Sequence, residues 1–331
     1  MKKLKEKRYK NKIVMNPPDR LKKKYLGCML GAAIGDALGK QNEGLNRKDI
    51  LGMGIVTDYG KARPGCPGEK LRAGQYTDDT EQMLVLAQSL IECNGLDAGD
   101  FAGRITKWGT DAQNDPVRKS LVGPSSSAAI SRLNSGITWK ESGSEVPSCG
   151  SAMRAAPIGL FYNTLDEIES KAALSSIPTH NSKGAIAGAV AVAVAVRCAL
   201  WEKDCFEIIK ETTGRTSKYD MALAKKIELS FGKKDVEPDK VFEEFCTSYM
   251  VYDTVPCAFY CFLRHFEAPE NAILEAVNAG GDTDSIACIT GSLCGALHGV
   301  DALPEKWLNG LENREMIEHL SNTIFEKKQR S

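Results

Sequence analysis

An excess of charge of either sign is missing from this chain. Its 43 Lys and Arg balance 43 Asp and Glu over 331 residues, so no global field argues for nucleic acid or an anionic membrane as partner. An apolar run of signal length is missing before Pro17-Pro18, and the first one after it is interrupted by Asp36, which argues against a secretory leader. No uncharged stretch reaches the roughly twenty residues of a membrane span. The longest uncharged stretch of small and apolar residues, Gly184 to Val196, has thirteen and ends at Arg197, so a buried helix of a soluble protein is expected there. CxxC pairs are absent, and the eleven cysteines are odd in number and scattered. Without an export signal they are expected to be reduced, mostly buried thiols in a cytoplasmic protein. Cys257 and Cys261 share a helical face, but no second ligand pair accompanies them, so a zinc site is not expected.

Alternating β-type runs are scarce, and the few short ones sit in the Gly-rich segment 51–75. No repeat of 20–50 residues and no linker divides the chain. What is abundant is helical periodicity, as in Met83, Leu84, Leu86, Ala87 and Leu90. It predicts helices over 21–38, 80–93, 98–109, 125–134, 152–162, 166–175, 181–201, 204–213, 219–231, 238–248, 254–265, 269–279, 285–298 and 312–327. The fold class expected is all-α, with one domain over 21–331 behind a basic extension over 1–20. Residues 1–24 carry eleven Lys or Arg against two acids and are either a solvated tail or an arm for an acidic partner surface. Three helices are rich in small residues: Gly27, Gly31, Ala32 and Gly35; Ala185 to Ala193; and Ala287, Gly291, Gly295 and Ala296. Each helical Gly costs about 1 kcal/mol against Ala, so close backbone approach of these three helices at the centre is expected.

Two acidic motifs precede helices. In Tyr76-Thr77-Asp78-Asp79-Thr80-Glu81 the plain reading is capping of free helix amides. The same reading applies to Asn278-Ala279-Gly280-Gly281-Asp282-Thr283-Asp284-Ser285, although Gly-Gly permits an unusual turn that aims Asp282 and Asp284 into one cavity. Hard cations such as Mg²⁺ or Mn²⁺ take oxygen-only ligands of this kind. Four carboxylates with the Thr77 and Ser285 hydroxyls would suit two ions about 3.5–4 Å apart. Asp36 lies among glycines at the end of an apolar helix, and Glu43 follows in Gln41-Asn42-Glu43-Gly44.

Taken in order, five elements resemble the ADP-ribosylglycohydrolase family. They are Gly35-Asp36-Ala37-Leu38-Gly39 with Glu43; Thr77-Asp78-Asp79-Thr80; Cys149-Gly150-Ser151-Ala152-Met153-Arg154-Ala155-Ala156-Pro157; Thr179-His180; and Gly280-Gly281-Asp282-Thr283-Asp284-Ser285. The resemblance runs from about residue 21 to about residue 310. It implies an orthogonal helical bundle and a hydrolase that removes ADP-ribose from a modified protein, most simply from arginine, with two Mg²⁺ or Mn²⁺ ions. Thr77, Asp78, Asp79, Asp282, Asp284 and Ser285 would be the ligands, with Ser285 standing where the family usually has Thr. Glu43, Asp79 and Asp284 are the implied catalytic groups, although Gly44 follows Glu43 where relatives often have an apolar residue. Ser148, Cys149, Gly150 and Ser151 resemble the substrate loop, whose small residues let backbone amides approach a diphosphate. Many relatives carry Asn at the Cys149 position. Asp36, His180, Tyr252 and Gly281 complete the expected substrate contacts, with Tyr252 a candidate for stacking on adenine or for core packing. Arg154 is expected either as a phosphate contact or as a buried ion-pair partner. Some relatives act as immunity proteins, so a toxin that transfers ADP-ribose is an alternative partner for residues 1–24. A metallo-phosphohydrolase and a catalytically dead structural relative are the remaining readings.

Overall fold

A computed structural model describes residues 17–329. Among them the elements are sixteen α-helices and four short 3-10 turns, and the β-pairing is limited to two isolated bridges, Ser144 with His180 and Ser148 with Met250. The helices, α1 to α16 in chain order, are Pro17–Gly39, Arg47–Met53, Asp78–Glu92, Ala98–Asn114, Pro124–Asn134, Ala156–Phe161, Leu165–Ser176, Lys183–Leu200, Cys205–Thr216, Met221–Gly232, Pro238–Phe245, Val251–Arg264, Pro269–Val277, Thr283–His298, Glu305–Gly310 and Arg314–Gln329. The fold is all-α, as the periodicity requires. Segment 51–75 carries no strand; it holds the end of α2, the 3-10 turn Pro67–Lys70 and irregular chain. The helix expected over 152–162 begins only at Ala156, with Pro157 in its first turn, where a missing amide costs nothing.

The centre is built by α1 and α14, which run antiparallel in backbone contact. A Cβ added at Gly31 would lie 2.3 Å from the Gly291 carbonyl oxygen, and one at Gly27 would lie 2.5 Å from that of Gly295. At Gly35 the obstacle is Ala287 O at 2.0 Å, and at Gly39 it is Thr283 O at 2.4 Å. The four-residue spacing keeps these positions on one stripe of each helix. One larger side chain in the stripe would force the helices apart by more than the core can absorb. Helix α8 packs on α14 and reaches α1, so the three small-residue helices do meet. It is long and apolar enough to cross a membrane, yet 89% of it is buried inside the fold, as suits a helix apolar all round.

Of the basic extension, residues 1–16 lie outside the described residues. Helix α1 begins at Pro17, inside the segment 1–20 read as the extension. Arg20 and Lys24 share Glu202 at 2.9 and 2.7 Å, and Lys23 meets Asp301 at 2.5 Å. These three cations of the segment 1–24 are therefore spent on the domain itself.

Candidate functional site

The antiparallel pairing of α1 with α14 sets the C-terminal end of one beside the N-terminal end of the other, and α3 starts against both. Thr77 is the N-cap of α3, with its side chain accepting from the Asp79 amide at 3.3 Å. Most of the capping falls to Asp36, in the last turns of α1. Its carboxylate receives the Thr77 amide at 2.9 and 3.1 Å, the Thr80 amide at 3.0 Å and the Thr80 hydroxyl at 2.6 Å. Asp36, expected as a substrate contact, is fully buried with both oxygens engaged by the start of α3. The capping spares Asp78 and Asp79 that duty. Asp78 Oδ2 accepts from Gln82 Nε2 at 2.8 Å, one helical turn on. Buried Lys40 donates to the carbonyls of Arg72 and Gln75, each at 2.5 Å, and so fixes the chain entering the motif.

The second motif is held open by a glycine turn. Gly280 and Gly281 have φ of 91° and 68°, and a Cβ at Gly281 would lie 1.9 Å from Thr247 O. The Asp282 amide donates to that same Thr247 O at 2.7 Å. The Gly281 amide donates to Leu45 O at 2.7 Å, and Gly281 O accepts from the Gly44 amide at 2.8 Å. Gly281, expected as a substrate contact, therefore has its amide and its carbonyl both engaged within the fold. Its work is to clip the segment carrying Glu43 beside Asp284. Asp282 occupies the N-cap position of α14 without a side-chain capping bond. Its Oδ2 instead accepts from Cys149 Sγ and Thr254 Oγ1, both at 3.1 Å. The capping reading thus holds for Thr77 and fails for Asp282.

Six carboxyl groups gather here, and all have pKa values raised by burial first. Glu43, half-buried, is pushed up to about 8 by burial and then by Asp282, Asp78 and Asp36, against a lowering hydrogen bond with Asp284. Asp78 is likewise pushed up to about 8 by burial, Asp36 and Glu81. Burial and mutual repulsion raise Asp79 and Asp284 well above the usual carboxylate range. Burial also raises Asp36 and Asp282, against the hydrogen bonds they accept. Among the described residues none of the six is in an ion pair; Lys40 and Arg154 act on Asp36 and Asp78 only from a distance, and burial lowers the pKa of both cations. Two buried oxygens, Asp79 Oδ2 and Asp284 Oδ1, have no hydrogen-bond partner. Buried carboxylate oxygens without partner or counter-charge are costly, and hard divalent cations are what such a donor set accepts. In the present arrangement no three Asp, Glu, His or Cys side chains among the described residues yet form a metal-holding group. A bound ion therefore needs side-chain rotations that close the carboxylates around it.

The loop ahead of α6 forms the opposite wall. Ser148 Oγ donates to Ser125 Oγ at 2.9 Å, the Cys149 amide to Tyr249 O at 3.0 Å, and Ser151 Oγ to Ala185 O at 2.9 Å. The amides of Gly150 and Ser151 open the 3-10 turn Cys149–Ser151, where the turn itself offers them no acceptor. Cys149 Sγ faces Asp282 and Ser285, and burial with Asp282 and Asp79 nearby raises its pKa well above normal. His180 is buried behind the loop. A Cβ at Gly150 would lie 2.6 Å from His180 Cε1 and Nε2, while Nδ1 pairs with Thr179 Oγ1 at 2.8 Å. Burial and Arg154 hold His180 well below the usual imidazole range. His180, expected as a substrate contact, thus stands directly behind Gly150. Arg154, expected in an ion pair or on a phosphate, is buried and donates to Gln82 Oε1 and Thr179 Oγ1, both at 2.6 Å. A hydrogen-bonded chain thus runs from Asp78 through Gln82, Arg154 and Thr179 to His180, linking the first acidic motif to the loop. Tyr252 donates to Asp220 Oδ2 at 2.6 Å, with its hydroxyl end over Gly184 and near Pro147.

Sequence reasoning missed Gln82, Thr254, Thr247 and Lys40. Only Gln82 had a visible signal, its spacing of four from Asp78 on one helix face.

The family profile described as ADP-ribosylglycohydrolase matches residues 17–331. An uncharacterized protein of Archaeoglobus fulgidus is 40% identical over 311 residues, covering 92% of this chain and 97% of that one. Human ADP-ribosylhydrolase ARH3 is 27% identical over 349 residues, with 93% and 94% covered. The ADP-ribosylarginine hydrolase Tri1 of Serratia proteamaculans is 27% identical over 307 residues, with 91% and 79% covered. A solved structure titled ADP-ribosylglycohydrolase-related protein complex superposes with a TM-score of 0.78 at 28% identity, covering 93% of this chain and 99% of that one.

Proposed function

The chain belongs to the ADP-ribosylglycohydrolase family and is a hydrolase of ADP-ribose glycosidic bonds, and from that footing we propose that it releases ADP-ribose from modified arginine in proteins with the help of two divalent cations. The observation that carries the cation reading is the pair of partnerless buried oxygens, Asp79 Oδ2 and Asp284 Oδ1, one from each acidic motif. Thr77, Asp78, Asp79, Asp282, Asp284 and Ser285 are the residues that would hold Mg²⁺ or Mn²⁺. Bound there, the ions would supply charge neutralisation, a grip on a vicinal diol and Lewis-acid activation of water. The arginine reading is supported by the likeness to Tri1, an ADP-ribosylarginine hydrolase.

The chain's own groups divide the remaining work. Cleavage of the bond from ribose C1″ to the guanidinium nitrogen passes through an oxocarbenium-like state, eased by a proton on the leaving nitrogen. Glu43 holds a proton near neutral pH, because burial is the largest cause of its raised pKa, and its place beside Asp284 suits it to deliver that proton. Asp79 or Asp284 accepts the proton of the attacking water as its oxygen bonds to C1″. The Gly150 and Ser151 amides, left without an acceptor by the 3-10 turn, would be the donors for a diphosphate. His180 and Arg154 keep that loop in register with Asp78.

One assay panel tests this: ADP-ribosyl-arginine, ADP-ribosyl-serine and O-acetyl-ADP-ribose, each with and without Mg²⁺ or Mn²⁺. Cation-dependent release from arginine is expected. Release from serine instead would overturn the substrate, and equal release with and without cation would overturn the cation site.

A further inference from the structure

The donors of the cluster are hard, yet one soft donor stands among them. Cys149 Sγ lies 3.1 Å from Asp282 Oδ2 and 3.5 Å from Ser285 Oγ. The charge of Asp79, whose buried Oδ2 is without partner, also bears on this thiol. The sulfur is held in place from behind, since the Cys149 amide donates to Tyr249 O at 3.0 Å and the residue opens a 3-10 turn. A thiolate and an oxygen sharing one tetrahedral ion, at about 2.3 Å and about 2.1 Å from it, sit roughly 3.6 Å apart. Both observed spacings fall within about half an ångström of that value, so small side-chain rotations bring sulfur and oxygen onto one ion.

We propose that Cys149, Asp282 and Ser285 form a thiophilic inhibitory site beside Asp79, where a soft divalent ion such as Zn²⁺ or Cd²⁺ binds through Cys149 Sγ and the neighbouring oxygens and stops hydrolysis. The inference rests on the reading of this cluster as a cation site. As the metal–sulfur bond forms, the S–H bond breaks, the proton leaves to solvent, and a water leaves the incoming ion. Nothing is oxidised or reduced. An all-oxygen site prefers Mg²⁺ or Mn²⁺ by ligand hardness, whereas a thiolate in the set favours softer ions and adds to the general preference for Zn²⁺ over Mn²⁺. The ion would sit on ligands that the working cations need, so inhibition follows from occupancy.

The probe is Co²⁺, read spectroscopically on the purified full chain. A thiolate-to-cobalt charge-transfer band in the near ultraviolet is expected for the unmodified protein, bleached by added Zn²⁺. The band should be lost in C149S and C149A, with circular dichroism checking that each variant folds. Mn²⁺ binding is followed in parallel by electron paramagnetic resonance. In the folded variant the ratio of Zn²⁺ to Mn²⁺ affinity should fall by at least about tenfold. If Mn²⁺ binds but Co²⁺ gives no charge-transfer band, the Cys149 proposal is overturned while the hydrolase reading stands. A band that persists in both variants comes from another thiol, such as exposed Cys93 or Cys246, and overturns it as well. If neither ion binds, the cation reading fails and takes the proposal with it.

Discussion

The two acidic motifs look alike in sequence, and the fold treats them oppositely. At Thr77–Thr80 the amides of Asp79 and Thr80 are served, by Thr77 from within and by Asp36 from another helix. At Gly280–Ser285 the N-cap residue makes no capping bond, and its carboxylate turns to Cys149 and Thr254. Both solutions end with partnerless carboxylate oxygens facing one space, one by delegating the capping and the other by bending the backbone away from it. Acidic residues at a helix start are thus informative only when something else satisfies the amides.

The comparison can be broken at several points. The largest effect is expected for D78A and D284A, one from each motif. Each should lower kcat by about 10³-fold, a loss of about 4 kcal/mol of transition-state stabilisation, read by ADP-ribose release. Unequal losses would show that one motif is merely structural. The same acids set a pH trend. An acid whose pKa is raised by folding adds stability below its unfolded value, and this is lost as pH rises through the folded one. Asp78 and Glu43 stand near 8. The cation-free protein should therefore melt at lower temperature as pH is raised from the carboxylate range toward 8, and D78N should flatten that slope. A slope unchanged in D78N would contradict the burial argument.

G281A attacks the bent motif alone. A side chain there combines positive φ with overlap on Thr247 O, so a loss on the order of 3 kcal/mol is expected in chemical denaturation, together with weakened Mn²⁺ binding. D36N attacks the delegated cap. Asn offers one acceptor where the carboxylate serves three donors, so about 2 kcal/mol should be lost. Cation affinity should fall with it, since the α3 start loosens. T77A is the mildest probe of stability, at about 1 kcal/mol for a lost cap. Its counterpart D282N should cost no capping energy, which differential scanning calorimetry on both would check.

Much of this was legible in the sequence because it is local or periodic. Helix identity follows from apolar spacing, and the approach of α1 to α14 follows from glycines four apart. The short helices α2 and α15 were not foreseen. Ile50 is the buried residue of α2, with Leu51 and Met53 exposed, so no apolar stripe marks it. α15 has only six residues. The two motifs lie together, and Asp36, Gly281 and His180 each have partners within the fold that no local pattern announces. Nothing local distinguishes an aspartate that touches a ligand from one that receives three donors of another helix. The same holds for Arg154, whose neutral partners Gln82 and Thr179 lie 72 and 25 residues away in the chain.

The stripe that joins Gly27 to Gly295 also sets an order of events during synthesis. The first helix of the domain leaves the ribosome with its glycine face bare, and its partner helix ends only at His298. Until then Asp36 and Glu43 have no Asp282 or Asp284 beside them. Such long-range closure is slow and leaves apolar surface exposed while the chain waits. A nascent chain stopped short of α14 would therefore hold most of its helices and none of its chemistry, and α1 would be the segment a chaperone has reason to hold.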